Sequence, residues 1–83
     1  MGRKSYYEEH RITVLEVIEA AVLRHAQPPS VRELADAVGV GVATMHAYLT
    51  ALSEEGLVQW RATSRRSLRL TLTGSQALSS QVE

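Results

Sequence analysis

Eighty-three residues, 45% of them hydrophobic, allow one domain with a small core. Zero cysteines exclude a disulfide framework and any thiolate metal site, and no apolar run approaches the ~18 residues that would cross a membrane. The net charge of zero excludes a uniformly basic surface, so any positive face must come from how the nine bases and nine acids are distributed.

The start, MGRKSYYEEHR, is basic but has no apolar stretch behind it, so it does not read as a secretory signal, and a cytoplasmic protein is expected. Ser5 and Glu8 have capping-box spacing, which predicts that helix 1 begins near Tyr6 and covers about 6–25. Ile12, Leu15, Ile18 and Val22 recur at intervals of three and four and predict one buried stripe, widened by Val14 and Ala21. Pro28 and Pro29 cannot extend the helix and restrict the residues before them.

Ser30 and Glu33 form a second capping box directly after the prolines. Val31, Leu34, Ala35 and Val38 supply the buried face of a two-turn helix 2 over about 31–38, and Gly39 stands where a left-handed cap is needed. Helix 3 follows over about 42–55, with Gly41 at its N-cap, Met45, Tyr48, Leu49 and Leu52 inward, and Gly56 at its end. The short link leaves only a few residues for the turn, as a crossed helix pair requires.

Leu57 to Trp60 reads as a strand, and Ser67 to Leu72 alternates, with its leucines on one face and Arg69 and Thr71 on the other. A two-stranded hairpin is marginal alone, so the leucine face must pack on the helices. Thr73-Gly74 is expected to end this strand, and Ser75 to Val82 to form a short helix with Ala77, Leu78 and Val82 inward. The fold class is mainly α with a small β-hairpin. It is a winged helix-turn-helix in a single domain over 1–83, with the wing at about 57–72 and a tail at 73–83.

Residues 5–55 hold eight acids against three bases, whereas residues 56–82 hold four arginines and no acid. That segregation can leave one face positive on a neutral protein. The stretch RATSRR, from Arg61 to Arg66, carries three of those four arginines. The plain alternative is a solvated strand face.

In order and spacing the chain resembles the N-terminal DNA-binding domain of the LexA repressor family over roughly Ile12 to Leu72. The residues that carry the resemblance are the interval from helix 1 to Pro28-Pro29, the PPSVRELA start of helix 2, and the GLVQWRATSRRSLRL wing. MarR-like regulators share the helix pattern and the GLV strand start, but the double proline before a capped ELA helix favours the LexA type. The resemblance implies a double-stranded DNA-binding transcriptional regulator of the repressor kind. Two departures qualify it. Members of that family have one more residue in the turn than Gly39-Val40-Gly41 provides, and they present asparagine and glutamate where this chain has Ala43, His46 and Ala47. The family's operator sequence therefore does not carry over. These 83 residues also hold no Ala-Gly cleavage bond with its linker and no serine–lysine peptidase domain.

Helical geometry places Ala43, His46, Ala47 and Thr50 opposite the core side of helix 3, with Val42 at its tip and Thr44 beside them. These six are the candidates for base reading. The set contains no arginine or lysine for guanine and no asparagine or glutamine for adenine. His46 is its one strong polar reader, or else an exposed histidine without a role. The start of helix 2, with Ser30 and Arg32, is expected to meet one DNA backbone strand. Arg65 and Arg66 at the wing tip, with Arg61 and Arg69 alongside, are the other backbone or minor-groove candidates, although Arg69 can equally pair with a surface acid.

His10 and His25 have no ligand partners at metal spacing, and neither a metal nor a cofactor is expected. An enzyme is not expected either, for want of a glycine-rich phosphate loop, a cysteine nucleophile or paired carboxylates at an evident cleft. Tyr6, Tyr7, Leu78 and Val82 lie near the ends and outside the obvious core. They are candidates for a weak homodimer, or else complete the chain's own core. The competing class is a winged helix that binds protein rather than DNA, which the apolar Val42-Ala43-Ala47 surface favours and RATSRR opposes.

Overall fold

A computed structural model describes residues 2–25, 27–61 and 68–80, with side chains from Tyr7 onward except that of His25. Helix α1 spans Gly2–His25, α2 Val31–Val38 and α3 Val42–Glu54; strands β1 Val58–Gln59 and β2 Arg69–Leu70 follow, then α4 Leu72–Ser79. The strands pair antiparallel, Val58 opposite Leu70 and Gln59 opposite Arg69. Helix α1 packs against α2, α3, α4 and β2, while α3 packs against α2 and β1. The hairpin is thus held between the first helix and the third.

Helix α1 starts earlier than its sequence signal. Gly2 is already helical, so Ser5 lies inside the helix and does not cap it. The capping-box spacing of Ser5 and Glu8 was outweighed by a run of residues that all tolerate a helix and by packing further along. Val14, Leu15 and Ile18 are fully buried, and Ile12 and Val17 pack at the margin of the core. Val22, expected inward, is 41% exposed, and Leu23 is 80% exposed. By that last turn the stripe has run past its partners.

The second capping box forms as its spacing predicts. The Glu33 backbone N–H donates to Ser30 Oγ at 3.1 Å, and the Ser30 N–H donates to Glu33 Oε1 at 3.0 Å. Leu34 and Ala35 are buried, with Val31 and Val38 packed at the edge. Gly39 adopts φ +90°, and the N–H groups of Gly39 and Val40 both donate to the Ala35 carbonyl, at 2.8 and 3.0 Å. A left-handed residue here is what lets α3 leave at an angle after only three residues.

Helix α3 buries Met45, Tyr48, Leu49 and Leu52, the four residues that its spacing selects. It closes on Gly56 at φ +80°, with Gly56 N–H donating to the Ser53 carbonyl and Leu57 N–H to the Leu52 carbonyl, both at 3.0 Å. This is the paired closure in which a left-handed glycine satisfies two orphan carbonyls. Leu57, Val58 and Leu68 then enter the core.

The hairpin is shorter than the alternation suggests. Leu57 and Trp60 flank β1 without joining it, and the second strand stops at Leu70 instead of Leu72. Thr71 is the reason. Its Oγ1 accepts the Gly74 N–H at 3.0 Å and donates to the Gly56 carbonyl at 2.6 Å, and its own N–H donates to the Leu57 carbonyl at 3.1 Å. It is an N-cap, so the tail helix begins at Leu72 and not at Ser75. Leu72, assigned to the leucine face, is consequently 76% exposed. Gly74 lies inside α4, buried beneath the Leu57 carbonyl, where a Cβ would overlap that oxygen. Leu78 is buried and Ala77 half-buried, whereas Val82 lies outside the described residues.

Candidate nucleic-acid interface

Three side-chain contacts hold α3 against α1. The Tyr7 hydroxyl donates to Glu55 Oε2 at 2.7 Å, and Arg11 forms an ion pair with Glu55 Oε1. His10 Nδ1 lies 3.0 Å from the Tyr48 hydroxyl, which is otherwise buried, and the rings of Tyr7 and His10 each sit 5.7 Å from that of Tyr48. Burial, the hydrogen bond to Glu55 and the charge of Glu55 together push the Tyr7 phenol up from 10.0 to about 12. Burial works to raise the Glu55 carboxyl, but hydrogen bonds from Tyr7 and Arg11 outweigh it and hold the group below its ordinary value. The hydrogen bond to Glu55 raises Arg11. Tyr7 and Leu78, candidates for pairing two copies, are therefore engaged within their own fold.

With its inner side fixed, α3 turns Val42, Ala43, Thr44, Ala47 and Thr50 to solvent. Gly41 caps the helix with extended backbone and no side-chain bond, so α3 begins bare at the end nearest Val42. The Thr50 hydroxyl donates to the His46 carbonyl at 2.9 Å, which engages its proton within the helix and leaves its oxygen outward as an acceptor. His46 differs from its neighbours. It is half-buried, because its ring meets Trp60 edge-on, with centroids 5.3 Å apart and planes at 78°. Helical geometry alone placed it fully outward. Trp60 lies just past β1, beyond the reach of helical spacing, and only its place as the one aromatic after α3 hinted at it.

The backbone candidates divide into groups. Ser30 and Arg32 stand at the start of α2, Arg32 exposed and Ser30 half-buried with its oxygen accepting the capping bond. Arg61 is exposed directly after Trp60. Arg69 is exposed on β2, the strand that packs against α1. There it lines a groove of about 370 Å³ with Glu19, Val22, Leu23 and Leu70. It thus shares that groove with an acid. Arg65 and Arg66 lie outside the described residues. No helix among the described residues is long and apolar enough to cross a membrane.

Comparison with known proteins places this arrangement. The family described as the LexA DNA binding domain matches residues 9–67. The LexA repressor of Ligilactobacillus salivarius (strain UCC118) is 33% identical over 72 residues, covering 86% of this chain and 35% of the relative. That of Limosilactobacillus reuteri (strain DSM 20016) is 35% identical over 69 residues, covering 82% and 33%. That of Desulfitobacterium hafniense (strain DSM 10664 / DCB-2) is 31% identical over 70 residues, covering 83% and 34%. The chain spans about a third of the length of these curated relatives. On the match through the first three helices and into the wing, the chain belongs to the family of LexA DNA-binding domains.

Proposed function

We propose that the chain is a transcriptional repressor module that docks α3 in the major groove of double-stranded DNA and lays its arginine-bearing wing on the adjacent backbone or minor groove. The observation that carries this reading is the outer face of α3 from Val42 to Thr50, where Val42, Ala43, Thr44, Ala47 and Thr50 are exposed and the His46 ring meets Trp60. Val42, Ala43, Thr44, His46, Ala47 and Thr50 are the base-facing set. Small apolar groups suit thymine methyls, and His46 and Thr44 supply donors. Ser30 and Arg32 take one phosphate strand. Arg61, Arg65 and Arg66 take the other, with Arg69 behind them.

Readout is sparse, since no side chain of this set makes a bidentate base contact, which is worth ~1–3 kcal/mol of discrimination. One copy making roughly four to six phosphate contacts binds non-specific DNA in the micromolar range or weaker at physiological salt. Repression therefore uses two copies on a two-fold site, with the DNA shape between them adding selectivity. Such a role places the protein with the chromosome in the cytoplasm.

Anisotropy of a labelled duplex titrated at several salt concentrations tests this. The expected plot of log affinity against log salt falls with a slope of about −4 to −5 per copy. Absence of binding to any duplex at low salt, with helical circular dichroism intact, refutes it and leaves the protein-binding winged helix in its place.

A further inference from the structure

We infer that Trp60 is a specificity-determining positioning residue, which sets the His46 ring for base reading. The inference rests on the proposed docking of α3 in the major groove. Of the polar side chains on the α3 face, the Thr50 hydroxyl is engaged with the His46 carbonyl, and Thr44 is short. His46 is the one aromatic reader, and a histidine on an open helix face would rotate freely. Here its ring meets the indole at 5.3 Å and 78°, the edge-to-face arrangement that aromatic quadrupoles favour.

The indole is itself anchored. Trp60 packs against the core directly after β1, whose Val58 and Gln59 pair with Leu70 and Arg69. The next residue, Arg61, begins the stretch that carries the wing arginines. A ring fixed before binding loses little freedom on binding, so the preference it confers does not depend on induced fit. Trp60 itself contacts neither base nor phosphate in this scheme and acts through His46.

The test begins with selection of a preferred duplex by the unaltered chain from a random pool, followed by affinities for that duplex and a scrambled one. Trp60→Ala lowers the ratio of the two affinities roughly two- to tenfold, the range of one aromatic pair, and leaves scrambled binding unchanged. His46→Ala lowers the ratio similarly, and the double variant lowers it no further, because the two residues act as one unit. Trp60→Tyr restores the ratio by returning a ring, whereas Trp60→Leu, with apolar bulk alone, does not.

Because Trp60 is the only tryptophan, its emission in the unaltered chain changes on binding the preferred duplex, and that change is lost in His46→Ala. Additive losses in the double variant, or full rescue by Trp60→Leu, overturn the inference while the DNA reading stands. So does a Trp60→Ala loss that is equal on both duplexes. An unaltered chain that binds no duplex overturns the docking reading, and this inference with it.

Discussion

Replacing Gly74 with alanine sets two physical effects against each other in one position. Alanine is the better helix former by ~1 kcal/mol, so by local preference alone Gly74→Ala within α4 should stabilise the chain. The structure demands the opposite. A Cβ at Gly74 meets the Leu57 carbonyl oxygen and its carbon, both backbone atoms, with a Leu70 methyl close behind. Leu57 cannot step aside cheaply. Its N–H closes α3 on the Leu52 carbonyl at 3.0 Å, and its carbonyl accepts Thr71 N–H at 3.1 Å. Overpacking of this kind costs ~1–3 kcal/mol, and displacing a hydrogen bond adds ~1 kcal/mol. After the gain in propensity, a net loss of about 1–3 kcal/mol remains. A domain of 83 residues has only ~4–12 kcal/mol to lose. Urea unfolding followed by circular dichroism should show a lower midpoint at unchanged slope, and thermal unfolding a drop of roughly 5–20 °C. Gln76→Ala, exposed on the same helix, serves as control and should stay within ~0.5 kcal/mol. A Gly74→Ala chain as stable as the original, or more so, would refute the close packing of α4 under Leu57.

Other outcomes follow from the same contacts. Ser30→Ala removes the capping box and should cost ~1 kcal/mol by thermal unfolding. Gly41→Ser should gain a few tenths of a kcal/mol, because the N-cap backbone is already extended and nothing lies near the added side chain. Tyr7 has its folded pKa raised from 10.0 to about 12, so its contribution is intact below pH 10 and is lost as pH rises towards 12. Tyr7→Phe should flatten that part of a stability–pH profile. Glu55 is held below 4.5, so its contribution is present above that pH and is lost as pH falls through the lower folded value; Glu55→Gln should remove that acid-side loss.

Helices 2 and 3 were legible because each carried both a periodic apolar face and chemically marked ends: Ser30 with Glu33, Gly39, and Gly56. The start of α1 was misread because a serine and a glutamate three apart also occur inside helices, where the spacing has no capping consequence. The end of the hairpin was misread for a related reason. Ser67 to Leu72 alternates like a strand, but Thr71 finds better partners in Gly56 and Gly74 than a further rung of sheet would give it. Thr73-Gly74 then looked like a terminator, when Gly74 is the residue small enough to pass under Leu57. The α3 surface followed from geometry apart from His46, whose neighbour Trp60 comes from another element. Contacts of long sequence separation leave no periodic trace.

The fastening of α3 to α1 bears on how such a domain can change its target. Tyr48 and Glu55 grip α1 from the C-terminal half of α3 and the residue just past its end, while Val42 stands free at the other end. The 13 residues of α3 make a rod about 20 Å long, so a 5° swing about the gripped end carries the free tip about 1.7 Å. That exceeds the ~0.5 Å window within which a hydrogen bond to a base edge keeps its length. If α3 docks as proposed, substitutions at Tyr7, His10 or Arg11 would thus shift Val42 and Ala43 relative to the bases. On that reading, a change of target preference has a second address, at the foot of the first helix.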